Sequence, residues 1–242
     1  MLKSYIINQI KKNGYEVTKP GVTDKTSVYY RKILSHFSID YLIDVGANEG
    51  QFAEGMRQLG YQGTLRSFEP ISQVFKILNE KARMDKDWLT ENMALGNEDT
   101  EQEINIAKNT VSSSLLEMDT NHLKAVPDSV FVAREMIKVK RLDTIMQDGE
   151  LDSKNIFLKL DVQGYEKFVL EGAANSLEKI KLVQLEMALI PLYKGEALLA
   201  DMVMYMDKLG FKLYNLFSGF GNFDTGQMYQ VDGVFVREDL IG

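Results

Sequence analysis

Residues 44–50 read DVGANEG, directly behind the apolar run Tyr41, Leu42 and Ile43 and directly ahead of Phe52, Met56 and Leu59. An apolar strand that ends in glycines and turns into a helix is the ligand-holding corner of an open α/β sheet. The stretch has no Gly-Lys-Ser or Gly-Lys-Thr, which removes a nucleoside-triphosphate loop. Gly46 and Gly50 are spaced as GxxxG, so the glycine pair that brings backbone against a pyrophosphate is missing. A ligand without phosphate suits this corner better than a dinucleotide does.

Strands and helices alternate beyond it. The pattern predicts strands at 41–45, 64–68, 89–94, 155–160, 182–186, 212–217 and 228–236. Helices are predicted at 51–59, 72–84, 165–170 continuing to 179, and 196–209. IFLKL and LVQLEM are short and mainly apolar without clean alternation, as strands covered on both faces should be. The fold class is therefore α/β: a Rossmann-like, mainly parallel seven-stranded sheet with helices on both faces. SGFGNFDTGQ, between Phe217 and Met228, is too short and glycine-rich for a helical crossover. The last two strands should accordingly form an antiparallel hairpin. Residues 96–143 break the rhythm and read as an insertion, with EINIA and MIKVKRL as extra strands around the polar loop NTVSSSLL. Residues 1–37, with amphipathic helices at 2–12 and 24–37, form an N-terminal helical extension to a domain at 38–242. Extension and insertion are expected to wall or cover an acceptor pocket, although the first helices could equally pack elsewhere or mediate a homodimer.

Composition narrows the chemistry. The chain has no cysteine, which excludes disulfides, zinc–thiolate sites, iron–sulfur clusters and a thiol nucleophile, and fits a cytoplasmic protein. A net charge of -7 argues against a nucleic-acid partner. No apolar run approaches the roughly 20 residues of a membrane span.

Three acids sit where the strands are predicted to end. Glu69, in SFEP, lies about 20 residues past the glycine turn, the separation at which an acid reaches ribose hydroxyls in such sheets. Asp161 follows IFLKL directly, with Gly164 and Glu166 just beyond, and Glu186 ends LVQLE. Glu166 reads equally well as a favourable charge at a helix N-terminus. His36 and His122 are the only histidines and are expected at the surface or in caps.

In order, DVGANEGQF, SFEP, NMALGNED, NTVSSSLL, RLD, LKLDVQGYEKFVLEGA and a final loop with PLY resemble the FkbM family of S-adenosylmethionine-dependent methyltransferases. The resemblance runs from about residue 40 to 236. It implies S-adenosyl-L-methionine as cofactor, with Asp44, Gly46, Asn48 and Gly50 around its methionine end. It also implies Glu69 on the ribose, Ala94 and Leu95 beside the adenine, and Ser113 and Ser114 near the acceptor. Asp161 and Glu166 match the acidic positions of the family's fourth-strand motif, Asp161 toward the cofactor and Glu166 toward substrate. Gln163 stands where the family usually has Glu, which weakens any metal role, and no metal is expected. The implied acceptor is a hydroxyl of a small molecule or glycan. Asp161 is the expected general base and Glu186 its reserve. An NAD-dependent or nucleotide-sugar oxidoreductase and a non-catalytic cofactor-binding protein remain as alternatives.

Overall fold

The computed structural model describes residues 25–146, 152, 154–222 and 224–241, so the helix expected at 2–12 lies outside the described residues. The described chain begins with α1 (Lys25–His36) and alternates through β1 (Tyr41–Val45), α2 (Gln51–Gln58), β2 (Thr64–Phe68), α3 (Ser72–Ala82) and β3 (Trp88–Glu91). The insertion follows as β4 (Ala94–Leu95), β5 (Thr100–Ala107), α4 (Thr120–Ala125), β6 (Phe131–Lys140) and α5 (Leu142–Ile145). Alternation resumes with β7 (Ile156–Leu160), α6 (Glu166–Glu171), β8 (Ile180–Ala188), α7 (Leu199–Lys208) and β9 (Phe211–Ser218). A small hairpin of β10 (Gly221–Asn222) and β11 (Gln227–Met228) leads into β12 (Gln230–Arg237).

Seven strands form one sheet in the order β3-β2-β1-β7-β8-β12-β9. Neighbours from β3 to β8 are parallel, whereas β12 runs antiparallel to both β8 and β9. The expected mainly parallel sheet with an antiparallel C-terminal pair is borne out, and β12 inserts between β8 and β9 rather than extending the edge. No helix joins β9 to β12, so the chain can only return beside the strand it has just left.

Two predicted boundaries move. The strand expected at 89–94 divides, because Asn92 donates its amide to the carbonyls of Glu69 at 3.0 Å and Pro70 at 2.9 Å. Beyond that break, Ala94 and Leu95 pair with β6, which also pairs antiparallel with β5 in a separate three-stranded sheet. The helix expected over 165–179 ends at Glu171, and a 3-10 turn covers Ser176–Lys179.

β1 and β7 are buried along their whole length, and alternate side chains feed two cores. Ile43, Val45, Leu158 and Leu160 face α6 and α7, packing with Val169, Met202 and Met206. Leu42 and Phe157 face the other way, with Ala53 and Met56 of α2 and Leu78 of α3. Tyr30, Ile33 and Leu34 bring α1 into this second core, so the helix is part of the packed body.

The insertion is tied down at both ends by one glycine. The Gly172 carbonyl accepts the Asp143 N–H at 3.1 Å, and a Cβ built at Gly172 would lie 1.8 Å from the Gly96 carbonyl oxygen. Backbone cannot give way as a flexible side chain would. Gly172→Ala is expected to cost about 1–3 kcal/mol, read from the urea midpoint. An unchanged midpoint would mean that this contact is not tight.

Candidate active site

The glycine turn is shaped by what surrounds it. Gly46 has φ +74°, and a Cβ there would fall 1.9 Å from the Asp161 carbonyl oxygen, so only glycine fits against the turn after β7. The N–H groups of Gly46 and Ala47 both donate to the Phe68 carbonyl at 3.0 Å. Asn48 is left-handed at φ 48°, and its side-chain oxygen accepts the Glu49 N–H at 2.8 Å. Gly50, at φ 87°, caps the start of α2, and a Cβ there would lie 2.8 Å from Trp88 and 2.9 Å from Leu78, so its role is packing.

Glu69 closes the turn from the β2 side. Its carboxylate accepts the Asn48 N–H at 3.0 Å and the Ile71 N–H at 2.8 Å. Burial pushes its pKa up to about 7, against the pull of those two bonds. Each oxygen keeps a lone pair, so the group can still accept a ligand hydroxyl.

The centre of the site is a row of charges across β1 and β7. Lys159 is buried, with Nζ 3.1 Å from Asp44 Oδ1 and 3.3 Å from Asp161 Oδ2, and it lies over the Phe52 ring at 5.4 Å. Asp44 is fully buried, and that burial raises its pKa although Lys159 opposes the shift. Asp161, 37% exposed, is the open member of the row. The Gln163 amide donates to Asp161 Oδ1 at 2.9 Å and to Glu186 Oε2 at 2.7 Å, while its own oxygen accepts the Tyr193 hydroxyl at 2.8 Å. Glu186 also accepts the Gln230 amide at 2.9 Å. Burial, then the nearby carboxylates of Asp161, Glu166 and Asp232, pushes Glu186 well above the usual range, toward its protonated form. Asp232 stands directly opposite Glu186 in the β8–β12 register.

Glu69, Lys159, Asp161, Gln163, Glu186 and Asp232 line one cavity of about 590 Å³, within the usual range for a small-molecule site. Of the sequence-predicted residues it brings together Gly46, Asn48, Glu69, Ala94, Leu95, Ser113, Ser114, Asp161 and Glu186. Ser114 donates to the Gln163 carbonyl at 2.7 Å and so fastens the insertion to the floor, whereas Ser113 accepts the Ala107 N–H at 3.0 Å within the insertion. Asp44 and Gly50 lie behind the lining. Glu166 does too: its carboxylate accepts the Val162 and Gly164 N–H groups at 3.0 and 3.3 Å, and burial raises it to about 8. The surface position expected for His122 is overturned: the ring is 3% exposed, held among Tyr193 and Phe220, and lines the cavity. Gln184, Gln230 and Asp232 also line it, unforeseen from sequence, because their strand periodicity gives no sign of which end faces a ligand.

Comparison with known proteins fits this geometry. The family description "Methyltransferase FkbM domain" matches residues 44–213. No curated protein sequence matches significantly. Among solved structures, the chain is similar to magnesium protoporphyrin IX methyltransferase from Synechocystis PCC 6803 with bound SAM: 9% identity, TM-score 0.47, covering 97% of this chain and 96% of that one. It is similar also to the methyltransferase domain of bacterial CtHen1: 9% identity, TM-score 0.48, covering 88% and 97%. A third is M. capricolum TrmK with S-adenosyl-homocysteine: 7% identity, TM-score 0.45, covering 89% and 69%. At these levels the likenesses carry nothing about substrate.

Glu69 gives the site a pH signature. A carboxyl whose folded pKa is raised from 4.5 to about 7 stabilises the fold below pH 4.5 and loses that contribution as pH rises through about 7. Relative to Glu69→Gln, ligand-free wild type should therefore lose on the order of 3 kcal/mol across this window. Chemical denaturation of both proteins at several pH values measures it, and parallel curves would contradict the shift.

Proposed function

The chain belongs to the FkbM methyltransferase family, whose cofactor is S-adenosyl-L-methionine, and from that premise we propose that it methylates a hydroxyl oxygen of an uncharged small molecule or glycan. The observation that carries the acceptor class is the floor of the cavity. Asp161, Glu186 and Asp232 alternate there with the amides of Gln163, Gln184 and Gln230. Gln184 and Gln230 each spend one amide hydrogen on Asp232 and Glu186 and keep the other, and the carboxylates keep acceptor lone pairs, so the row offers both donors and acceptors, as adjacent hydroxyls require. Among the described lining residues Lys159 is the one Lys or Arg, and it is already paired with Asp44 and Asp161, which disfavours a phosphorylated or carboxylated acceptor.

The cofactor fits the other half. The turn through Gly46, Ala47 and Asn48 lines the cavity, and the acids beside it suit a cation and not a phosphate. Bound there, S-adenosylmethionine supplies a sulfonium methyl whose leaving group is a neutral thioether. Gly46 and Asn48 would take its methionine end, Glu69 its ribose, and Ala94 and Leu95 its adenine. Asp161 would stand as the negative partner of the sulfonium. With one oxygen near Lys159 and the other holding Gln163, it is better suited to that than to the base role expected from sequence. Residues 109–115 of the insertion would wall the acceptor side, with Tyr30 of α1 also in the lining. Positioning donor and acceptor in line and excluding water provides much of the rate.

Calorimetry with S-adenosylmethionine and S-adenosylhomocysteine tests the charge assignment. Asp161→Asn should weaken the sulfonium ligand by about 1–2 kcal/mol, a partly solvated charge interaction, and leave the neutral one unchanged. Equal losses would remove the electrostatic role. Label transfer from methyl-labelled cofactor to a panel of neutral methyl glycosides and their 6-phosphates tests the acceptor class. Turnover confined to the phosphates would overturn it.

A further inference from the structure

Methyl transfer to oxygen requires that the acceptor lose a proton, and the acidic floor is poorly placed to take it. Both Asp161 oxygens already have partners, Lys159 and Gln163, and Glu186 carries two amide donors on Oε2. His122 is different. It stands on α4, whose first turn is capped by the Asp119 carboxylate accepting the Asn121 N–H at 2.9 Å. Its ring meets Tyr193 edge-on, centroids 5.1 Å apart, and lies tilted to Phe220 at 6.3 Å. Nδ1 is buried and has no hydrogen-bond partner among the described residues. An unpaired buried polar nitrogen costs about 1–3 kcal/mol, so a native site that keeps one is completed by a ligand or a water.

The surroundings keep the imidazole neutral. Burial pushes its pKa below the ordinary 6.5. Of the rings it touches, Phe220 cannot ionise, and the Tyr193 phenol is pushed up by its own burial. On its own element Asp119 is engaged in the cap, and Lys124, two residues along, does not face the ring. Asp161, Glu186 and Asp232 line the same cavity.

We propose that His122 is the proton acceptor for the reacting hydroxyl, an assignment that rests on the O-methylation reading. The acceptor O–H bond breaks toward the imidazole as the O–CH3 bond forms and the S–CH3 bond breaks. Positive charge thus passes from sulfur to the ring, and the imidazolium releases its proton to solvent.

The chain has two histidines, so imidazole NMR can test this without knowledge of the acceptor. His36→Gln assigns the signals. In the S-adenosylhomocysteine complex, the His122 signal should titrate with a midpoint below 6.5 and move on addition of molar glycerol, a hydroxyl probe small enough to enter. A His122 signal blind to glycerol overturns the proposal. With any methyl glycoside that wild type turns over, His122→Phe and His122→Asn should each lower kcat by about 10²-fold or more. Cofactor Kd should stay within about twofold, and the acid limb of the wild-type pH profile should disappear. Near-normal kcat in either folded variant would overturn the proposal and assign His122 to packing. If no glycoside is methylated, the glycan part of the acceptor reading fails, and the NMR result still decides whether a hydroxyl reaches His122.

Discussion

Lys159 occupies the fourth position of β7, whose other four residues are Ile156, Phe157, Leu158 and Leu160, all buried. Bringing an ammonium out of water costs several kcal/mol unless matching charge is supplied nearby. Two carboxylates supply it, Asp44 at the same level on β1 and Asp161 just past the end of β7. One interaction therefore fixes the relative height of the first and fourth strands and the approach of the two turns that follow them. The collision that a Cβ at Gly46 would make with the Asp161 carbonyl restates that closeness in steric terms. Two acids against one cation leave the row net negative on its open side, where a cationic ligand would face it.

A second consequence concerns protonation. The carboxyls of Glu69, Glu166 and Glu186 are all pushed upward, chiefly by burial. Glu69 and Glu166 hold backbone N–H groups of the turns, so they are parts of the loop framework. Glu69 also lines the cavity, so its protonation responds to what enters there.

The sheet, its reversed final strand and the strand-end acids were legible from hydrophobic runs, glycines and an acid directly after an apolar stretch. Those signals are local. The split between β3 and β4 was not legible, because it depends on Asn92 reaching back to Glu69 and Pro70, more than twenty residues earlier. Glu166 has the residue type of a substrate ligand, and only its contacts with Val162 and Gly164 reveal a turn-holding group. His122 carried no signal at all. It lies on a six-residue helix in the insertion, and its burial is created by Tyr193 and Phe220 from distant parts of the chain.

The position of β12 also bears on how the protein is made. Gln230 and Asp232 are the last residues in chain order to line the cavity, and β12 fills the gap between β8 and β9. A chain emerging from the ribosome can assemble β1, β2 and β7, with the glycine turn and Glu69, well before β12 is available. Until then β8 and β9 have an open slot between them, and Glu186 lacks its Gln230 partner. The glycine turn and Glu69 are thus in place early in synthesis, and Gln230 and Asp232 join the cavity late. The unpaired edges of β8 and β9 are where a stalled or truncated chain would recruit a foreign strand.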